Sequence, residues 1–279
     1  MLMRQKTGPL QWIGNILLVL AAAFFLWPFY WMVSGSFKNL RVSMQIPPEW
    51  YPHAPSFDNY RHIFTDYPVW RWFGNSLIVT LATTFLVLLC SSLAGYALSK
   101  IRFKSAKPLF VLIVSAMSLP HAVLFIPLYQ ILIDFKLVNT YFGVILPAVA
   151  WPFGVFLIRQ FIATLPSALI EAGRIDGCSE FGIYARIMLP LAMPGLAVLA
   201  IFTFVNTWND YVWQLIVLTE SKLFTLPLGI KIAQKTIETE TNYGVGMAGA
   251  VIATLPVLAV FVYFQKHFTQ GLTVGAMKG

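Results

Sequence analysis

The segment SLIVTLATTFLVLLCSSLAGYAL (residues 76–98) contains no charged residue. It is long enough to cross the hydrocarbon core of a bilayer as a helix, which takes roughly 20 residues. The run WIGNILLVLAAAFFLWPFYWMV (residues 12–33) has the same character. The whole chain is 58% hydrophobic and 11% charged, whereas soluble domains carry about 25% charged residues. The sequence therefore predicts an all-α polytopic membrane protein.

Six predicted transmembrane helices form a single transmembrane domain, residues 1–279. The short connection SKIRFKSAKP (99–108) carries four basic residues and no acidic residue, so the positive-inside rule assigns it to the cytoplasm. Both termini then lie in the cytoplasm, as does the loop 163–195 between the fourth and fifth spans, while the loops 34–72 and 219–245 lie outside. The predicted spans are residues 12–33, 73–98, 109–132, 142–162, 196–218 and 246–265.

Several function classes are excluded by what the sequence lacks. It contains no G-x-x-x-x-G-K-[ST] phosphate-binding loop and no HExxH motif, and its four histidines are scattered singly. No soluble basic domain is present to bind nucleic acid, and the two cysteines, Cys90 and Cys178, occur in different environments and predict no disulfide. We expect a chain that is not an enzyme and holds no cofactor or metal.

The polar segment PSALIEAGRIDGCSEFGIYARIMLP (166–190) is predicted to form two short helices. Ser167 is the expected N-cap of the first helix, and Gly177 is the expected residue of positive φ after its end. Ser179 is expected to cap the second helix, which Pro190 should stop. Each helix of about ten residues is roughly 15 Å long, so neither crosses a membrane.

The first of these helices has the pattern of a docking helix. Ala168, Ala172 and Ile175 fall along one side, while Glu171 and Arg174 lie three residues apart at its edge. A small apolar ridge edged by charge suits a groove in another protein. The alternative is an amphipathic helix on the lipid surface, although such helices favour Lys or Arg with bulky apolar residues.

The same segment resembles the EAA loop of ABC-importer permeases. The pattern is Glu-Ala-Ala, two residues, Asp-Gly-Ala and then Ile-x-Leu-Pro, and this chain departs from it at Gly173 and Cys178, where alanine is usual. Because glycine costs about 1 kcal/mol of helix propensity, we expect a softer docking helix. The matching residues are Glu171, Ala172, Asp176, Gly177, Ile187, Leu189, Pro190 and Pro194.

The resemblance extends over essentially the whole chain. The segments TWNDYVWQLIVLT (207–219), TLPLGI (225–230) and FTQGLTVGAMKG (268–279) resemble maltose-transporter-type permeases of the carbohydrate-uptake class. The resemblance implies a bacterial or archaeal cytoplasmic membrane protein that forms a heterodimer with a second permease. It implies two ATPase subunits that bind ATP and Mg, an extracytoplasmic solute-binding protein, a carbohydrate cargo and a C-terminal tail near the ATPase. The implied coupling residues are Glu171, Ala172, Gly173, Arg174, Asp176 and Gly177.

The fifth predicted span carries a polar face in FVNTWNDYVW (204–213). Asn206, Asn209, Asp210 and Trp213 are spaced to share one side of a helix. Amides and a carboxylate hydrogen-bond sugar hydroxyls, and Trp208 or Trp213 offers a cover for a sugar ring. The alternative is that these side chains join spans through interhelical hydrogen bonds.

Two further patterns concern helix packing. Pro120 and Pro127 are expected to break the third span, and freed carbonyls there line a cavity or mark a tolerated kink. In the sixth span, small residues recur at a spacing that favours close helix packing, either within the chain or against the second permease. These small residues are Gly246, Gly249, Ala250 and Ala253.

Three rival functions follow from the same residues. The nearest is the same machinery with a non-sugar cargo such as a polyamine, phosphate or glycerophosphodiester. The second is a stand-alone secondary transporter with Asp210 as its ion site, which would have no need of a docking helix. The third is a scaffold subunit without a pathway, against which the prolines and the polar face weigh weakly.

Overall fold

The computed structural model describes residues 9–38, 47–235 and 243–276, and the regular elements in these ranges are helices. The chain divides into two compact units, one of residues 1–67 with 230–253 and one of residues 68–229 with 254–279. In chain order the helices are α1 (Pro9–Ser36), α2 (Asp58–Asp66), α3 (Val69–Lys100), α4 (Ala106–Ala116), α5 (Phe125–Asp134), α6 (Tyr141–Val149), α7 (Pro152–Ala163), α8 (Ala168–Ile175), α9 (Glu180–Leu191), α10 (Met193–Asn209), α11 (Val212–Val217), α12 (Leu226–Lys235) and α13 (Tyr243–Ala276).

Three described helices are long and apolar enough to cross a membrane unbroken, namely Gln11–Ser36, Val69–Lys100 and Tyr243–Tyr263. The other membrane-length segments are helix pairs. Residues 106–116 and 121–134 meet at 98°, α6 and α7 at 41°, and α9 and α10 at 75°. Counting each pair as one span gives up to six in the described part of the chain. A break in the third span was expected from its prolines, whereas the sequence did not indicate the bends between α6 and α7 and between α9 and α10.

Backbone chemistry explains these breaks. Pro120 is extended (ψ 129°) and is followed by a 3₁₀ turn, so the predicted break at this proline is confirmed. Pro127 lies in the first turn of α5, where no N–H is needed, so the break predicted there is wrong. Trp151 precedes Pro152 and is extended (ψ 109°), as a residue before proline prefers.

In the first unit, side chains tie the end of α1 to α2. The Asn59 amide donates to the carbonyl oxygens of Ser36 and Lys38 at 2.9 and 2.8 Å. The small residues of α13 face inward here, because a Cβ at Gly246 would meet Gln234 and one at Gly249 would meet Ile230. These two positions therefore pack within the chain.

The outer loops contain helices that the sequence did not indicate. Helix α2 lies in the predicted loop 34–72, and α12 lies in the predicted loop 219–245. Residues 39–46 and 236–242 of these loops fall outside the described residues.

In the second unit, α3 is the central helix and packs against α6, α7 and α10. Small residues permit the closest approach. A Cβ at Gly95 would lie 2.9 Å from the Arg159 backbone nitrogen, and one at Gly154 would collide with the Ser91 hydroxyl. The unit therefore has a tightly packed centre from which the loop between α7 and α10 extends.

Candidate coupling site

Helix α8 ends in a Schellman motif. The N–H of Cys178 donates to the carbonyl oxygen of Gly173 at 2.9 Å. The N–H of Gly177 donates to the carbonyl oxygen of Arg174 at 3.1 Å. Gly177 has φ +78°, the left-handed conformation that glycine adopts without a Cβ penalty. The positive φ predicted for Gly177 at the end of the helix is confirmed.

The start of α8 differs from the prediction. Ser167 has helical backbone angles (φ −70°, ψ −21°), and its side chain caps no N–H, so the predicted N-cap is wrong. The turn already begins at Pro166, whose carbonyl accepts from the N–H of Leu169 at 3.4 Å. The Lys100 ammonium fixes this turn from α3 by donating to the Leu165 carbonyl at 2.6 Å.

The two faces of α8 have opposite surroundings. Ile170 and Gly173 are buried, which attaches the helix to the protein. Ala168, Ala172 and Ile175 are exposed, Ile175 at 86%, so the predicted apolar ridge is confirmed as a solvent-accessible surface. This surface also includes Glu171 and will be called the α8 ridge (residues 168, 171, 172 and 175).

Gly173 allows α8 to lie close to α9. A Cβ at this position would be 3.0 Å from Cδ1 of Ile187 and 3.1 Å from Cγ1 of Ile183, tighter than ordinary van der Waals contact. The departure from the alanine of the family pattern thus serves packing. The expectation that this glycine chiefly softens the helix overlooked these two isoleucines.

Arg174 pairs with Glu180 rather than with Glu171. The guanidinium Nε lies 2.7 Å from Oε1 of Glu180, and the Tyr96 hydroxyl donates to the other carboxylate oxygen at 3.1 Å. The hydrogen bond from Arg174 lowers the pKa of Glu180, and the reciprocal bond raises that of Arg174. Because Tyr96 belongs to α3, these bonds connect the loop to a membrane-spanning helix.

Helix α9 begins as predicted and ends differently. The Ser179 hydroxyl accepts from the N–H of Gly182 at 3.1 Å, which confirms the N-cap. Pro190 does not stop the helix, which reaches Leu191 through a π turn at residues 184–188. This widened turn shifts the hydrogen-bond register ahead of the proline, so its missing N–H is tolerated. The chain bends only afterwards, at Ala192.

A continuous apolar cluster joins α8 to the helices of the second unit. Ile170 is 3% exposed and is a member of this cluster. Interiors packed in this way transmit displacement because they are close to incompressible. The buried members are Val87 and Tyr96 of α3, Ile158 and Ile162 of α7, Ile170 of α8, Ile183, Tyr184 and Met188 of α9, Ala192, and Leu196 and Leu199 of α10.

The predicted substrate face is not one face of one helix. Helix α10 ends at Asn209, and Asp210 is extended (φ −69°, ψ 122°), so the i, i+3, i+4, i+7 arrangement is wrong. The Asp210 carboxylate accepts from the N–H of Trp213 at 3.4 Å at the start of α11. A side chain that bonds the backbone beyond it favours a turn over helix continuation.

The tryptophans and asparagines of this region separate by burial. Trp208 is 1% exposed and stacks on Phe204, while Trp213 is 6% exposed and donates to the Gly143 carbonyl at 3.3 Å. Asn206 and Asn209 are exposed. No three His, Cys, Asp or Glu side chains come together as metal ligands within the described ranges.

The residues that fix the loop to the spans are not among the predicted site residues. Tyr96 and Lys100 lie four residues apart in the last turns of α3 and reach Glu180 and Leu165. Arg159 of α7 donates to the Leu98 carbonyl at 3.3 Å. Polar side chains at i and i+4 on an otherwise apolar span were the available signal.

Comparison with known proteins agrees with this architecture. Residues 87–274 match the family described as binding-protein-dependent transport system inner membrane component. The arabinooligosaccharides transport system permease protein AraQ of Halalkalibacterium halodurans is 40% identical, over 99% of this chain and 100% of that protein. The lactose transport system permease protein LacG of Rhizobium radiobacter is 34% identical, over 94% of each chain.

The fold is similar to a chain in the crystal structure of a bacterial ABC transporter involved in the import of the acidic polysaccharide alginate. The TM-score is 0.80 at 22% sequence identity, and the alignment covers 92% of this chain and 95% of that chain. The likeness establishes the helical fold.

Proposed function

The chain belongs to the family of binding-protein-dependent transport system inner membrane components, and we propose that it is one permease subunit of an ABC importer for a carbohydrate. The names of the two relatives, for arabinooligosaccharides and for lactose, support a sugar cargo. A polyamine or glycerophosphodiester is the alternative cargo for the same machinery.

The observation that carries this proposal is the two-faced helix α8. Its exposed ridge is available to a cleft of an ATPase subunit, while its buried face is fixed to α9. Movement of the ATPase pair on binding ATP and Mg then displaces α8, and the apolar cluster carries the displacement to α10. The proposed coupling residues are Glu171, Ala172, Gly173, Arg174, Asp176 and Gly177.

Within this chain the coupling residues divide into two roles. Glu171 and Ala172 face outward and contact the ATPase. Gly173, Arg174 and Gly177 hold the helix at its position through packing, an ion pair and a chain reversal. A variant that loses either the ATPase contact or the position of α8 should no longer couple ATP hydrolysis to transport.

The assembly we propose contains two ATPase subunits, a second and different permease, and an extracytoplasmic solute-binding protein. The membrane-crossing part of the apolar helix α1 is exposed in this chain, which leaves it available to lipid or to the second permease. The basic loop 99–108 supports a multi-pass orientation in the cytoplasmic membrane with both termini inside. The structure does not describe the termini or the side chains of the tail 268–279.

For the translocation pathway, we propose cargo contacts by Asn206 and Asn209, with Asp210 at the helix break beside them. Burial of Trp208 and Trp213 disfavours the sugar-stacking role predicted for them. A secondary transporter with Asp210 as its ion site would have no need of the exposed helix α8.

The first experiment is affinity purification of the tagged chain from its native membrane in mild detergent, with mass spectrometry of the co-purifying proteins. An ATPase with a phosphate-binding loop, a second permease and a secreted binding protein are expected. The binding protein is then screened against sugars and polyamines to identify the cargo. If the chain purifies alone and stays stable, the proposal that it is an importer subunit is wrong.

The coupling role is tested by Glu171→Lys. We expect the variant to insert normally and to lose sugar uptake, because the reversed charge opposes docking. The control is Asp134→Lys, which makes the same charge change at an exposed residue of α5. Normal uptake by Glu171→Lys would contradict the assignment.

A further inference from the structure

A tight basic turn connects α3 to α4. Helix α3 ends at Lys100 and α4 begins at Ala106, and the N–H of Ala106 closes the turn on the Phe103 carbonyl at 3.1 Å. Both helices belong to membrane-length segments. The predicted spans on either side, 73–98 and 109–132, place this connection just outside the hydrocarbon core, near the lipid headgroups.

The surface of this turn forms a shallow, open hollow of mixed chemistry. Its walls hold two cationic side chains, Arg102 and Lys104, beside Ile101, Phe103 and Ala106. Phe103 is 41% exposed. Cations next to accessible apolar groups match a ligand that is itself anionic at one end and apolar at the other.

Two neighbouring cations, Lys100 and Arg159, are engaged by the protein, whereas those of the hollow are available. Lys100 donates to the Leu165 carbonyl, and the guanidinium of Arg159 lies 3.7 Å from the centre of the Phe110 ring. Arg102 and Lys104 are exposed. Among the described residues, no carboxylate lies within ion-pair distance of either.

We propose that this hollow is a binding site for an anionic phospholipid. Arg102 and Lys104 contact the phosphate and the negatively charged headgroup, while Phe103 and Ile101 lie against the glycerol and the upper acyl chain. Basic clusters directly beside a transmembrane helix attract anionic headgroups. A lipid fits better than an acidic protein surface, because the apolar side chains lie where two membrane-embedded helices end. The proposal depends on neither the cargo nor the coupling role.

The test is native mass spectrometry of the full-length protein, with the subunits that co-purify, titrated with phosphatidylglycerol or phosphatidylcholine. We expect preferential retention of phosphatidylglycerol and its loss in the Arg102→Gln/Lys104→Gln variant. One cation near an anionic surface is worth about fivefold in affinity, so removing two should weaken binding about thirtyfold.

The control is Lys136→Gln/Arg186→Gln, which removes two exposed cations elsewhere and should retain phosphatidylglycerol. An equal loss in the control, or equal retention of both lipids by the wild type, would overturn the site.

A photoactivatable phosphatidylglycerol provides a second readout that does not need a variant. It should label peptides containing residues 101–106 under ultraviolet light. Labelling only elsewhere would refute the location. If Arg102→Gln/Lys104→Gln retains the lipid but loses a co-purifying protein, the hollow is a protein interface and the lipid proposal is wrong.

Discussion

Arg174 and Glu180 are joined across a reversal of the chain, with 2.7 Å between the guanidinium Nε and the carboxylate Oε1. The reversal is made by Gly177 in its left-handed conformation. Because Glu180 also accepts from Tyr96, the pair connects the exposed helix α8 to the membrane-spanning helix α3 through side chains alone.

Breaking this ion pair should impair coupling more than assembly. We expect Arg174→Gln to reduce sugar uptake per ATP hydrolysed, because α8 is then less firmly held at α9. The measurement is uptake and ATPase activity in the same proteoliposomes. Exchange of the two charges in Arg174→Glu/Glu180→Arg should restore part of the ratio. If the exchange variant shows the same ratio as Arg174→Gln, the ion pair does not contribute to coupling.

The contribution of the pair should depend on pH. The pKa of Glu180 is lowered from its ordinary 4.5, so the stability it supplies is fully present above that value. It is lost as the pH falls through the lowered pKa. The difference in melting temperature between the wild type and Glu180→Gln should therefore be present at neutral pH and vanish in acid. A difference that persists below the lowered pKa would exclude the ionised carboxylate as its source.

Gly177 should tolerate asparagine better than valine. A Cβ there meets nothing within 4 Å, so the penalty arises from the backbone alone. Left-handed geometry costs roughly 1–2 kcal/mol for ordinary residues, and most for β-branched ones. Gly177→Val should insert but lose coupled uptake, whereas Gly177→Asn should retain most of it. Equal uptake by the two variants would mean that this conformation is unimportant.

Two adjacent residues of α8, one buried and one exposed, should respond differently to the same substitution. Gly173→Leu should lower the melting temperature, because the new side chain collides with Ile183 and Ile187. Ala172→Leu should leave the melting temperature unchanged and weaken co-purification of the ATPase, since this residue is exposed on the ridge. If Ala172→Leu lowers the melting temperature and Gly173→Leu weakens co-purification of the ATPase, the outward face of α8 is the one that contains Gly173.

Trp208 should prove to be a structural residue. Truncating a buried tryptophan costs about 3–5 kcal/mol, so Trp208→Ala should lower the melting temperature strongly. Asn206→Ala, an exposed change on the same helix, should leave it nearly unchanged. If Trp208→Ala keeps its stability and loses only cargo transport, the tryptophan contacts the cargo after all.

Local sequence signals predicted the features that depend on local chemistry. The long apolar runs gave the unbroken spans, and Ser179 and Gly177 marked a helix start and end correctly because capping depends on neighbours within a few residues. The exposed ridge of α8 likewise followed from helical spacing. The cytoplasmic orientation of the loop rests on the charge of the 99–108 connection and stays a prediction.

Sequence spacing failed at two places, one decided by a local turn and the other by contact with the next helix. Asn206, Asp210 and Trp213 were placed on one helix by periodicity, but the break at Asp210 separates them. Helix propensity alone makes Gly173 unfavourable in α8, whereas the tertiary structure places Ile183 and Ile187 of α9 against it.

What the sequence by itself determined is that this chain is a helical membrane protein with a polar segment of two short helices, because hydropathy, charge and capping act over short stretches of chain. Only the tertiary structure decided that Arg174 binds Glu180 and that Tyr96 extends this contact to α3. Those partners are 6 and 84 residues apart in sequence, and such a pairing depends on how α3, α8 and α9 pack together.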